Sequence, residues 1–145
     1  MKRRHLLTAR VSAEETVREL FRVLNSGRFE DLARVYAPVV DHDGRRETPA
    51  DLIAWQEAEA ETWADSRYDV LSLVSDGVEV AVRWRGTARQ VGAWGPVPPT
   101  GREIIWDGVH FFTVVDDRIT ALWATADRFA KAMQLGVTFS APAPE

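Results

Sequence analysis

From Ser12 to Asp65 the apolar residues recur at helical spacing, and from Tyr68 onward they alternate; that change of period divides the chain. Ser12 followed by Glu15 has the spacing of a capping box, and Val17, Leu20, Phe21 and Leu24 follow at i, i+3, i+4 and i+7. This predicts an amphipathic helix ended by Asn25-Ser26-Gly27. A short helix through Leu32 and Tyr36 should stop before Pro38, because the residue preceding proline avoids helical angles. "VVDHDG" then reads as a brief extended piece entering a turn. Thr48 caps a third helix with Pro49 at its first position, carrying Leu52, Ile53, Trp55 and Trp63.

The alternating half begins with a strand over Tyr68 to Val74 and a hairpin turn at "SDG". The next strand places Val78, Val80, Val82 and Trp84 on one face, with Glu79, Ala81, Arg83, Arg85 and Thr87 on the other. "GAWGPVPPTG" (92–101) is a long glycine- and proline-rich loop, expected to act as a lid hinged at Gly92, Gly95 and Gly101. Ile104 to Val115 is a strand, Asp116-Asp117 a tight turn, and Ile119 to Thr125 the last strand. A closing helical turn runs from Phe129 to Leu135, and "SAPAPE" is a frayed tail. Helices first and an antiparallel meander afterwards mean α+β, with helices packed on one face of a curved sheet and a cavity between them.

Composition narrows the partners. The 145 residues suit one domain, 1–145, and no linker or repeat divides them. Net charge is −4 with the signs interspersed, so no basic stripe offers itself to a nucleic-acid backbone. Cysteine is absent, which removes disulfides, thiolate metal sites and a cysteine nucleophile. The opening "MKRRHLLTARVSAEE" is basic like a signal peptide but lacks its apolar segment, and no stretch approaches a membrane span. A cytoplasmic protein without membrane or nucleic-acid partners is the expectation. Core packing explains most tryptophans in most proteins, but six in 145 residues also suit a pocket for a large flat or greasy ligand.

Several residues carry two readings. Asp127 stands immediately before the last helical segment, so its carboxylate is placed either to cap that helix or to serve as a buried acid. His110 lies in an otherwise apolar strand, either as a core histidine or as a pocket residue that orients or protonates a carbonyl. In "DHD" (41–43) alternation sends Asp41 and Asp43 away from His42, so the three cannot converge on a metal, and no metal site is expected. Trp84 and Trp123 read as core or subunit contact, whereas Trp55, Trp94 and Trp106 are the candidates for a pocket wall.

"VVDHDG", "PPTGREI", "VVDDRITALW" and "DRFAKAMQLG" together resemble the SnoaL-like polyketide cyclases, over roughly residues 14 to 137. These belong to the nuclear-transport-factor-like, cystatin-like α+β cone superfamily. The resemblance implies a cone-shaped, mostly antiparallel sheet around a cavity, and a cofactor-independent cyclase of natural-product biosynthesis acting on a hydrophobic polyketide or polyene. It also implies a homodimer through the outer sheet face, where Trp84 would otherwise be exposed. Aldol cyclases of the family use a carboxylate on the last strand near a histidine on the preceding one. Aligned on Ile119, the histidine falls at His110, and the carboxylate position holds Ala124. His42 matches a pocket-rim position. Arg89 and Gln90 stand where many relatives have a threonine–histidine pair, which makes Gln90 a candidate contact to substrate. In the resemblance Asp127 matches a second aspartate that caps the final helical turn in much of the family. Taken with the residue readings above, the candidate catalytic residues are His110 and Asp127, with His42, Trp55, Gln90, Trp94, Trp106 and Ala124 against the substrate.

With no carboxylate at 124, ring closure by confinement, including a pericyclic closure, becomes the leading chemistry, because it needs no general base. His110 would assist by polarising a carbonyl, as an imidazolium if its pKa stays near ~6.5. Two alternatives remain: a hydrolase or isomerase using Asp127, and a non-catalytic binder of a hydrophobic metabolite.

Overall fold

In the computed structural model, which describes residues 11–145, helices α1 (Ala13–Ser26) and α2 (Pro49–Thr62) lie across one face of a six-stranded sheet. The strands are β1 (Tyr36–His42), β2 (Arg45–Glu47), β3 (Trp63–Ser75), β4 (Glu79–Gln90), β5 (Glu103–Val115) and β6 (Arg118–Ala126). Their order is β2-β1-β6-β5-β4-β3, antiparallel except where β1 runs parallel to β6. A short α3 (Arg128–Gln134) follows β6. The sheet is curved and unclosed, the α+β architecture the sequence predicts. Residues 1–10, with the basic opening, lie outside the described residues. Among the described residues no helix is long and apolar enough to cross a membrane.

Local chemistry explains the boundaries. Ser12 Oγ accepts from the Glu15 backbone N–H at 3.1 Å, while the Glu15 carboxylate turns to Arg22, so only half of the expected box forms. Gly27 ends α1 in the left-handed region at φ 73°. At α2 the full box is present: Thr48 caps Asp51, and the Asp51 carboxylate accepts from the Thr48 N–H at 2.8 Å.

Two expectations change at strand edges. Tyr36 and Pro38 belong to β1, not to a helix, which ends as a 3-10 turn at Arg34. Pro38 is tolerated because the β1–β6 register breaks between Tyr36 and Asp41, where no ladder N–H is required of it. Trp63 opens β3 instead of closing α2, and it is buried. Its apolar side chain fits the helical spacing equally well, so periodicity alone could not place it.

The core lies between α1, α2 and the concave face, built from Val17, Leu20, Phe21, Val80, Val82, Phe112 and Ile119. Trp84 belongs to this inner face, 4% exposed. The expectation that it would lie on an outer dimer face is overturned: the alternation that points Val80 and Val82 inward carries Trp84 with them. Phe111 and Trp123 point the other way and lie side by side on the convex face, 48% and 45% exposed.

Candidate active site

Helices α1 and α2, the concave face of the sheet and α3 enclose a cavity of about 580 Å³. Along its wall runs an aromatic row that crosses the sheet, all of it lining the cavity except Trp63, which packs behind. Phe112 stacks on His110 (5.1 Å between centroids), His110 lies beside Trp84 (5.8 Å), and Trp84 meets Trp106 edge-on (6.2 Å). Trp106 then leads to Trp63 (6.4 Å), and Trp63 to Trp94 (5.8 Å). Tyr68 stands edge-on against both Trp84 and Trp106, and burial pushes its hydroxyl pKa up to about 12.

The row rests on a pattern the sequence displays twice and that went unread: Trp-Arg-Gly at 84–86 and Trp-Asp-Gly at 106–108. The antiparallel register pairs Trp84 with Gly108 and Gly86 with Trp106. Each indole lies flat over the opposing glycine, where an added Cβ would collide with the ring. Between them Arg85 and Asp107 pair on the other face at 2.8 and 3.1 Å. A tryptophan–glycine alternation on neighbouring strands is the signal that marks Trp84 as wall, not surface.

His110 has a defined tautomer. Trp84 Nε1–H donates to His110 Nδ1 at 2.8 Å, so the proton of the neutral ring sits on Nε2. Among the described residues the one sealed side-chain polar atom without a partner is Trp63 Nε1, so the unpartnered Nε2–H of His110 reaches open cavity space. Burial, with a smaller effect from His42, lowers the His110 pKa to about 4. The ring is therefore a neutral donor at physiological pH, and the imidazolium anticipated from an ordinary pKa is corrected. Directly across the β5–β6 register stands Ala124, which lines the cavity and leaves room.

The other anticipated residues divide. His42, Trp55, Trp94 and Trp106 line the cavity, with Trp55 half exposed at its rim. His42 Nδ1 is held by the Glu47 carboxylate at 2.7 Å. Asp41 and Asp43 leave the site: Asp41 accepts from Gly44 N–H in the turn, and Asp43 takes a positive φ there. Asp127 is not part of the lining; its carboxylate accepts from the Ala130 N–H at 2.9 Å and caps α3. Gln90 is also outside the lining, completely buried. Its side chain donates to the Gly92 and Pro98 carbonyls and accepts from the Thr100 N–H and hydroxyl.

Gln90 thus staples the 92–101 loop from within. Gly92 packs against the end of α2, where a Cβ would lie 2.6 Å from the Glu61 carbonyl oxygen. From this loop Trp94 reaches the cavity lining.

Sequence reasoning missed Lys131. Its side chain is 7% exposed, with Nζ 4.1 Å from the Trp63 ring centroid, 4.4 Å from Trp106 and 5.3 Å from Trp94. Burial lowers its pKa to about 8; nearby Glu59 opposes the shift and Arg128 adds to it. A lysine in the closing helix reads as solvated from sequence, and only the fold brings three indoles around it. Among the described residues no group of three or more His, Asp or Glu side chains gathers as a metal site.

An unclosed, mostly antiparallel sheet cupping an aromatic cavity beneath its helices defines a small α+β cone. A sequence model of the SnoaL-like polyketide cyclases matches residues 14–135, and the chain belongs to that family. A SnoaL-like polyketide cyclase from Agrobacterium tumefaciens superposes with a TM-score of 0.79 at 21% identity, over 87% of this chain and 99% of that one. TsrD from Streptomyces laurentii gives 0.77 at 22% identity, over 85% and 93%. IdmH from Streptomyces antibioticus gives 0.75 at 25% identity, over 86% and 98%. No curated protein matches the chain.

Proposed function

We propose that this protein is a cofactor-independent cyclase that closes a ring on a polyketide or polyene intermediate held in the aromatic cavity. The observation that carries the reading is the His110–Ala124 pair: a neutral, tautomer-fixed N–H donor facing cavity space, with a methyl group across from it. Such a site is poor at removing a proton, because the His110 ring nitrogen able to accept one is already occupied by Trp84. It is good at holding reacting ends together and polarising one carbonyl. Holding them in near-attack geometry contributes up to ~7–11 kcal/mol in favourable cases. Confinement does most of the work in this account.

The hydrolase or isomerase alternative through Asp127 has less support, since that carboxylate is spent on the α3 cap. The binder alternative is separated by turnover. Purified protein is incubated with linear polyene and poly-β-ketone thioester analogues, followed by liquid chromatography and mass spectrometry. From the polyene, a new compound of unchanged mass reports pericyclic closure; from the poly-β-ketone, unchanged mass reports aldol addition and loss of water its dehydration to the condensed ring. Compound bound and recovered unchanged makes the binder reading correct.

The homodimer of this reading uses the convex face, supported by the exposed Phe111–Trp123 pair, not by Trp84. Light scattering at micromolar concentration should return twice the chain mass, and a monomer sinks it.

A further inference from the structure

We infer that the α3 end of the cavity is an anion subsite, where Lys131 and Arg128 take a carboxylate carried by the hydrophobic substrate. The inference rests on the cavity being the substrate pocket, but it does not depend on which reaction follows.

Three observations converge. First, Lys131 is a cation set among rings that cannot complete its hydrogen bonding. Trp63, Trp94 and Trp106 offer their faces to the ammonium, and an indole N–H is a donor only. No hydrogen bond or ion pair to its three N–H donors is present among the described residues, yet Nζ is not sealed from the cavity it lines. An acceptor has to come from outside the chain.

Second, a like charge stands beside it. Arg128 lies one turn earlier on α3, lines the same cavity, and places its guanidinium 5.5 Å from the centroid of the Trp94 ring that Lys131 also touches. It too makes no hydrogen bond or ion pair among the described residues. Two adjacent cations sharing one ring repel each other, and a single anion between them relieves both.

Third, the lining holds one carboxylate to set against them. Glu59 on α2 acts on Lys131 through space and is not within ion-pair distance. Arg45, the further cation of the lining at the β2 edge, is paired with Glu47 at 3.7 Å, so the unpaired positive charge of the wall gathers at Lys131 and Arg128. Carboxylate, not phosphate, is the better match. The indoles of Trp63, Trp94 and Trp106 surround the ammonium, and the neighbouring cavity wall carries Phe112, Trp84, Leu20 and Leu122, as befits an acid on a greasy skeleton.

Calorimetry with 2-naphthoate and the neutral isostere 2-naphthamide tests this at pH 7. Wild type should bind naphthoate about tenfold tighter than naphthamide. Lys131→Met should bring the two within about twofold, through loss of naphthoate affinity alone, and Arg128→Gln should reduce the preference in part. Sulfate should compete weakly with naphthoate; equal competition at equal concentration would replace the organic acid with a free inorganic anion and overturn the assignment. Equal affinity for both naphthyl compounds in wild type overturns it, as does binding of neither at millimolar concentration. Lys131→Gln stands in if the methionine variant does not fold, judged by circular dichroism, and a preference retained in either folded variant also sinks the subsite. Failure of turnover with naphthoate binding intact would indict the cyclase reading alone.

Discussion

At each end of one aromatic row the cavity buries a basic group, and the two are accommodated in opposite ways. His110 loses its charge: burial takes its pKa to about 4, and the neutral ring is then fixed by the Trp84 hydrogen bond. Lys131 starts far higher, so the same desolvation brings it to about 8 and leaves it an ammonium at neutral pH. It is surrounded by indole faces, which stabilise a cation without neutralising it. One end of the cavity therefore offers a directed neutral donor, and the other an unspent positive charge. A substrate threaded between them would be polarised at one end and anchored at the other.

The largest effect expected from this contrast is on acid stability. Between pH 6.5 and 4 the unfolded chain protonates His110 and the folded chain does not, so stability falls as pH drops, by the order of 3 kcal/mol. Urea unfolding at pH 7 and pH 4.5 should show the loss, and His110→Gln should shrink it; an unchanged acid slope in that variant breaks the contrast at this end.

Filling the cavity comes next. Ala124→Leu, opposite His110, should slow turnover about a hundredfold by displacing the reacting ends, whereas His110→Ala should cost about ten- to a hundredfold as lost polarisation. Because His110 stays neutral, rate should be flat from about pH 6 to 7.5. A fall in rate through pH 6.5 would mean an imidazolium donor after all.

At the Lys131 end the sign is reversed. From pH 8 to 10 the unfolded chain keeps a lysine proton that the folded chain has released, so stability should rise, by about 2 kcal/mol. Above pH 10 the buried Tyr36 and Tyr68 hydroxyls, whose pKa values are raised, pull stability down again. Glu59 and Arg128 face the same ammonium, and Lys131→Met should remove the rise while leaving both in place. Persistence of the rise in that variant would assign it elsewhere.

The smallest effect is expected outside the row. Asp127→Asn should lower stability by about 1 kcal/mol through a weaker cap and leave turnover nearly unchanged. If it abolishes turnover in folded protein while Ala124→Leu does not, Asp127 is the acid and confinement is the wrong account.

The sequence by itself determined α1, α2, the meander and the common face of Val80, Val82 and Trp84 on β4. Those follow from caps, glycines and side-chain period, all of which act within a few residues. Family resemblance pointed to His42, His110 and Ala124, and the reading of the tryptophans to Trp55, Trp94 and Trp106; all six line one cavity. Tertiary structure alone decided the rest, because it depends on which strands pair and in what register. The β4–β5 register set each tryptophan over a glycine and turned Trp84 toward His110. Packing of the 92–101 loop converted Gln90 from a candidate contact into a staple. The fold of α3 onto β5 carried Lys131 under three indoles that are 25 to 68 positions away in the chain. No local pattern encodes such an encounter, since a lysine in a short helix looks the same in water as in a cage until the sheet closes over it.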